Sequence, residues 1–221
     1  MSLNTITLRK LLQLFCAAPR QRRSLLLADI RADKAKEESS ENNGGDFFGP
    51  FWADVKDHAA GQSDLKIQTE LRIAANNRRA RLYPILRDSF FEMWNEKMRW
   101  RNEPFELVPK SIKAELTIQE IPALVRIENT ASIKIWDGSH RIMYPYFSEQ
   151  PVLTEEIVRL GFWALSEALP DFQLNDFRII DFQRRAYFRP EDAPMKGNER
   201  PEFIERYRLL MRERQTLIDR R

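Results

Sequence analysis

The sequence predicts an α+β fold, with helices packed on a mixed or largely antiparallel sheet and a small N-terminal helical module. Three observations carry that class. Residues 84–98 repeat apolar residues at helical spacing, residues 157–169 are apolar nearly all round a helix, and residues 112–119 alternate strictly in and out. Asp137-Gly138, between two runs rich in β-branched and aromatic residues, reads as a tight hairpin turn. At 221 residues, 43% apolar and 31% charged, the chain suits one ordinary domain with an appendage.

The elements follow in order. Thr5 or Thr7 caps a first helix whose apolar set is Leu8, Leu11, Leu12 and Phe15. Pro19 ends or restarts it, and Ser24 to about Lys36 forms a second helix with Leu26, Leu27 and Ile30. Residues 1–36 make a basic helical module and residues 37–46 a polar linker, with the α+β body at 47–195 and a C-terminal helix at 196–221. The body opens on Phe47, Phe48, Phe51 and Trp52, rings that anchor a helix to a core or, alternatively, form a binding cage. Gly49 as N-cap, Pro50 in the first turn and Gly61 past the end delimit that helix.

The next helix starts at Ser63 or Asp64 and runs to Pro84. Leu86, Phe90, Phe91, Met93, Trp94 and Met98 then share one side of its successor. Strands follow at Ile112–Gln119, Leu124–Glu128, Ala131–Trp136 and His140–Tyr146, with Pro145 and Pro151 ending the ladder. Thr154 caps a buried helix with Glu155 and Glu156 in its first turn, where carboxylates suit the dipole. A hairpin of Phe177–Phe182 and Ala186–Phe188 precedes the last helix, on which Phe203, Ile204, Tyr207, Leu210 and Met211 can pack.

Charge and cysteine content narrow the functional classes. No apolar run approaches ~18 residues, so no transmembrane helix is expected. A single cysteine, Cys16, excludes an internal disulfide framework and points to a reducing, cytoplasmic setting. Its place on an apolar helix suits packing rather than nucleophilic attack. Residues 1–36 carry eight Lys or Arg against two Asp, so a net charge of +6 sits there on a body of −3. A basic arm of this kind fits an acidic partner, nucleic acid or protein, or an anionic membrane, but equally a solvated helical face. The absence of Asp and Glu from residues 1–28 also fits an organelle transit peptide.

The candidate anion- or partner-binding residues are Arg72, Asn76, Arg79 and Tyr83. Their spacings of four, three and four put them within an arc of roughly 40–60° on one helix. One apolar flank is Ile67, Leu71, Ala74 and Leu82, and the other is Leu65, Ile73 and Ala80, so the stripe faces inward. Arg78 and Arg87 lie close by. Guanidiniums that face inward must be paired. The partners are the body's own acids (Asp54, Asp57 and Glu128 are candidates), a bound phosphate, or an acid of another protein.

A metal site is a second possibility, from Asp54, Asp57 and His58 on one helix and Asp137 and His140 on the hairpin. It would make the protein a divalent-metal phosphodiesterase or nuclease, although no rule of sequence brings the hairpin to that helix. Tyr144-Pro145-Tyr146-Phe147 closes a core or stacks a base. There is no Gly-x-Gly-x-x-Gly, Gly-Lys-Ser/Thr or Gly-x-Ser-x-Gly motif, and no cofactor is implied.

The order of elements over residues 63–190 (helix, strands, hairpin, buried helix, strand) resembles the core of the PD-(D/E)xK nuclease-like superfamily. The resemblance implies an acid on one core strand and a (D/E)-x-K on the next. This chain has His140-Arg141-Ile142-Met143-Tyr144 and Ser132-Ile133-Lys134 there, and Glu115 and Glu128 are not followed by lysine two residues on. No catalytic residue carries over, so what the resemblance implies is a nuclease-like scaffold without its metal site. The expected function is therefore a non-catalytic intracellular binding or adaptor protein for an acidic partner. A metal-dependent nuclease and a structural subunit of a larger assembly are the alternatives.

Overall fold

The structure is a computed structural model that describes residues 3–38, 46–97, 104–108 and 110–220. The expected linker lies outside these residues at positions 39–45, as does Met98. The α+β class is correct: among the described residues, helices pack against two mixed sheets.

The chain enters through a short strand, β1 (Thr5–Thr7), followed by α1 (Leu8–Cys16) and α2 (Pro19–Glu38). Thr7 caps α1 by accepting from the Lys10 N–H, and Leu8, Leu11, Leu12 and Phe15 are all buried. Then come α3 (Gly49–Ala59), α4 (Leu65–Ala75) and α5 (Tyr83–Glu92), and the strands β2 (Phe105–Val108), β3 (Ala114–Ile118), β4 (Ala123–Ile127), β5 (Ala131–Ile135) and β6 (His140–Tyr146). The remaining elements are α6 (Glu155–Ala168), β7 (Phe177–Asp181), β8 (Ala186–Phe188) and α7 (Glu199–Asp219). Phe48, not Gly49, is the N-cap of α3, while Gly61 does lie beyond its end with φ of +71°.

The large sheet has the order β2-β5-β6-β7-β8. All its pairs are antiparallel except β6–β7, which α6 joins as a crossover. Pro145 does not end the ladder, because β6 continues through it to Tyr146 opposite Asp181. The small sheet has the order β1-β4-β3, with β1 parallel to β4. β1 and β2 are not foreseen in the sequence, since three or four residues are too few to show a period.

The two faces of the large sheet carry separate cores. On one face Ile142, Tyr144, Phe177 and Ile179 pack with α1, α6, α7 and the small sheet. Gly161 lets α6 come close here, since a Cβ on it would lie 2.8 Å from Ile179 Cδ1. On the other face Ile133, Met143 and Ile180 meet Phe51, Trp52, Tyr83, Leu86 and Phe90 of α3 and α5. Leu8, Leu11, Leu12, Leu26 and Ile30 of the N-terminal helices belong to the first core. The apolar face of α1 cannot bury itself, so it is covered by α6 and α7. Three of the eight N-terminal cations are paired among the described residues: Lys10 with Asp29 inside the segment, and Arg22 with Glu213 and Arg9 with Asp46 outside it.

Candidate functional site

The residues of the arginine stripe do not lie on one helix. Asp64 caps α4 by accepting from the Lys66 and Ile67 N–H groups, and the helix ends at Asn76, whose φ of −155° and ψ of 101° are extended. The Asn76 side chain then accepts from the Arg78 N–H at 3.1 Å and starts a short 3₁₀ turn, Asn77–Arg79. Asn76 is thus an exposed cap and not part of an inward cluster. An asparagine side chain that bonds the backbone two residues on offers the chain a turn in place of the next helical hydrogen bond.

Each remaining member has a definite setting. Arg72 meets Asp54 side-on, with Nε to Oδ2 at 3.0 Å and Nη2 to Oδ1 at 2.9 Å. That hydrogen bond, acting against the burial of the arginine, raises the Arg72 pKa. Asp54 is only 4% exposed, so Arg72 is its counter-ion in the α3–α4 packing. Tyr83 opens α5, is fully buried, and donates to the Phe47 carbonyl at 2.7 Å; burial pushes its phenol pKa up.

Arg79 stands over the Tyr83 ring, 5.4 Å from its centroid. Its Nη1 donates to the Arg72 carbonyl at 3.4 Å, and its Nε is buried with no hydrogen-bond partner among the described residues. The nearby arginines divide into two groups. Arg81 pairs with Glu149, and Arg87 pairs with Glu70 and Asp88. Arg78 and Arg79 have no carboxylate partner among the described residues.

One apolar flank differs from expectation. Leu65 and Thr69 are buried and Arg72 reaches Asp54, so that side of α4 faces inward. Ile67 and Leu71, on the other side, are 60% and 57% exposed, and Ala74 is exposed beside them. A surface helix has one inward face, and a stripe flanked on both sides by packed residues asks for two. The exposure of this pair is the feature that sequence reasoning missed, whereas Arg78 is named beside the stripe but not counted in it. Its signal is the four-residue spacing of Ile67 and Leu71 opposite Leu65 and Thr69.

The metal candidates are not brought together. Asp57 is exposed on α3. His58 packs edge-on against Phe91 at 5.2 Å, with Nδ1 3.0 Å from the Ser63 carbonyl. Asp137 accepts from the Ser139 N–H at 2.8 Å inside its turn, and His140 lies edge-on to Phe172 at 5.4 Å. Among the described residues no group of three or more His, Cys, Asp or Glu is placed to hold a metal ion. Asp54 is occupied by Arg72, and Glu128 pairs with Arg126 at 3.4 Å rather than with the stripe.

The aromatic candidates are core. Tyr144, Tyr146 and Phe147 are buried, so none offers a face to a base. Phe48 stacks on Phe147 at 5.0 Å, and Phe51 and Trp52 pack on Phe182, which fills the space a binding cage would need. Burial raises the Cys16 pKa to about 11, so its thiol is protonated at neutral pH and is a poor nucleophile. Among the described residues no helix is long and apolar enough to cross a membrane. No protein-family model matches the chain, and neither does any curated protein.

Proposed function

We propose that this is a non-catalytic intracellular binding or adaptor protein that engages an acidic partner at the break between α4 and α5. One observation carries the reading. Arg78 and Arg79 are the adjacent pair at this break without a carboxylate partner among the described residues, whereas Arg72, Arg81 and Arg87 around them are paired. A half-buried guanidinium supported by a ring and a carbonyl is held in place before an anion arrives, which lowers the ordering cost of binding. The nuclease-like scaffold implied by the element order accords with a non-enzymatic role. β5 (Ala131–Ile135) and β6 (His140–Tyr146) carry no acidic residue from which a metal site could be built.

Fluorescence anisotropy with a labelled polyglutamate peptide and a labelled single-stranded oligonucleotide, each titrated at rising salt, tests the reading. At least one probe is expected to bind at low salt and to weaken as salt rises, steeply so if the anion is phosphate. Reversing both charges, Arg78→Glu with Arg79→Glu, is expected to weaken that binding at least tenfold, about 1.4 kcal/mol. Failure of both probes to bind at low salt would remove the proposal.

A further inference from the structure

The exposed side of α4 identifies the kind of acidic partner. Ile67, Leu71 and Ala74 follow each other at four- and three-residue spacing and form one apolar stripe that points away from the core. The helix is fixed from behind, with Leu65 and Thr69 buried and Arg72 held by Asp54, so it cannot roll to hide the stripe without breaking that ion pair. Arg78 and Arg79, which have no carboxylate partner among the described residues, come directly after the C-terminal end of the stripe.

We infer that this surface docks an amphipathic helix of a partner protein, one with an apolar seam and one or more carboxylates at the end that meets Arg78 and Arg79. The inference rests on the acidic-partner reading and adds the apolar requirement to it. Phosphate backbones gain nothing from an exposed isoleucine and leucine, whereas a helix laid along α4 covers both with the apolar seam formed by its own i, i+3 and i+4 positions. The charges then set direction: a helix whose acidic end meets Arg78 and Arg79 binds one way round, because the reverse orientation leaves two arginines unmatched.

The test uses the full-length protein and three labelled synthetic helical peptides in anisotropy titrations at about 0.15 M salt. The first carries leucines at i, i+4 and i+7 with glutamates clustered at one end. The second replaces its glutamates with lysine, and the third keeps the glutamates but replaces the leucines with serine. The first is expected to bind about tenfold or more tightly than either of the others. Ile67→Ser with Leu71→Ser is expected to reduce that binding about tenfold while thermal unfolding stays unchanged, since both residues are exposed.

Equal binding of the first and third peptides, lost in the Arg78→Glu, Arg79→Glu variant, would overturn the helix inference and leave the acidic-partner reading standing. Absence of binding by every peptide overturns the inference, and with polyglutamate and oligonucleotide also inert it removes both. A labelled oligonucleotide that displaces the first peptide would reassign the surface to nucleic acid. Concentration-dependent dimerisation in sedimentation, abolished by the serine variant, would reassign it to a second copy of this chain.

Discussion

Arg159 and Arg79 are both arginines that reach inward from helical segments, and their surroundings differ. Arg159, 3% exposed on α6, has carboxylates gathered around it. Its Nη1 donates to Glu199 at 2.6 Å and to Asn198 at 3.1 Å, and its Nη2 donates to Glu202 at 2.8 Å. Glu199 in turn accepts from the Lys196 and Gly197 N–H groups. Arg79 has a ring, a carbonyl and a buried Nε without a partner among the described residues. The first arrangement is closed and holds α7 to α6. The second has unused hydrogen-bonding capacity. Buried charge by itself is therefore no sign of function; what distinguishes a candidate site is charge that the fold leaves unmatched.

Substitutions test that contrast in order of size. Arg159→Met is expected to cost about 3 kcal/mol in denaturant unfolding, because it leaves the buried Glu199 carboxylate with two backbone N–H groups and no cation, while Glu202 keeps Arg206. Arg72→Met leaves the buried Asp54 without its counter-ion and is expected to cost about 2 kcal/mol, less because Arg72 is itself partly exposed. Both losses are read as a shift in the unfolding midpoint.

Acid provides a third probe. Burial works against ionisation of Glu199 and Glu202, but hydrogen bonds from Lys196 N–H and from Arg159 more than offset it, and both pKa values are lowered. Their stabilising contribution is full above the unfolded value of about 4.3 and disappears as pH falls through the lower folded values. Stability measured below that point is expected to drop in the wild type, with a shallower drop in Arg159→Met. Equal slopes would mean that the acid response arises elsewhere. Arg79→Met is the smallest change, within about 1 kcal/mol, since removing an unsatisfied buried nitrogen offsets the attraction between the guanidinium and the Tyr83 ring. A loss as large as that of Arg159→Met would make Arg79 a structural residue.

Elements with strong local signals are legible in the sequence. The Thr154 cap with two glutamates after it, the Asp137-Gly138 turn and the alternation of β3 all appear where the residues place them. β1 and β2 carry no such signal, because they exist through pairing with β4 and β5. At the candidate site Arg72, Arg79 and Tyr83 do gather, and Asp54 is one of the acids the sequence offers them. The break at Asn76 is hidden because apolar spacing continues across it to Leu82. The exposure of Ile67 and Leu71 is hidden because periodicity gives a helix its faces without saying which one the core covers.

The small sheet has a consequence for the order in which the molecule can form. Thr5 pairs with Leu124, and the Tyr207 hydroxyl bonds the Leu3 carbonyl at 2.6 Å across 204 positions of chain. During synthesis β1 and the apolar face of α1 emerge long before β4, α6 and α7 exist to cover them. Refolding is therefore expected to be slower than the helical content suggests, governed by distant closures rather than local ones. The same interval leaves an unpaired strand and an uncovered apolar helix face in solution, surfaces open to association until the later elements arrive.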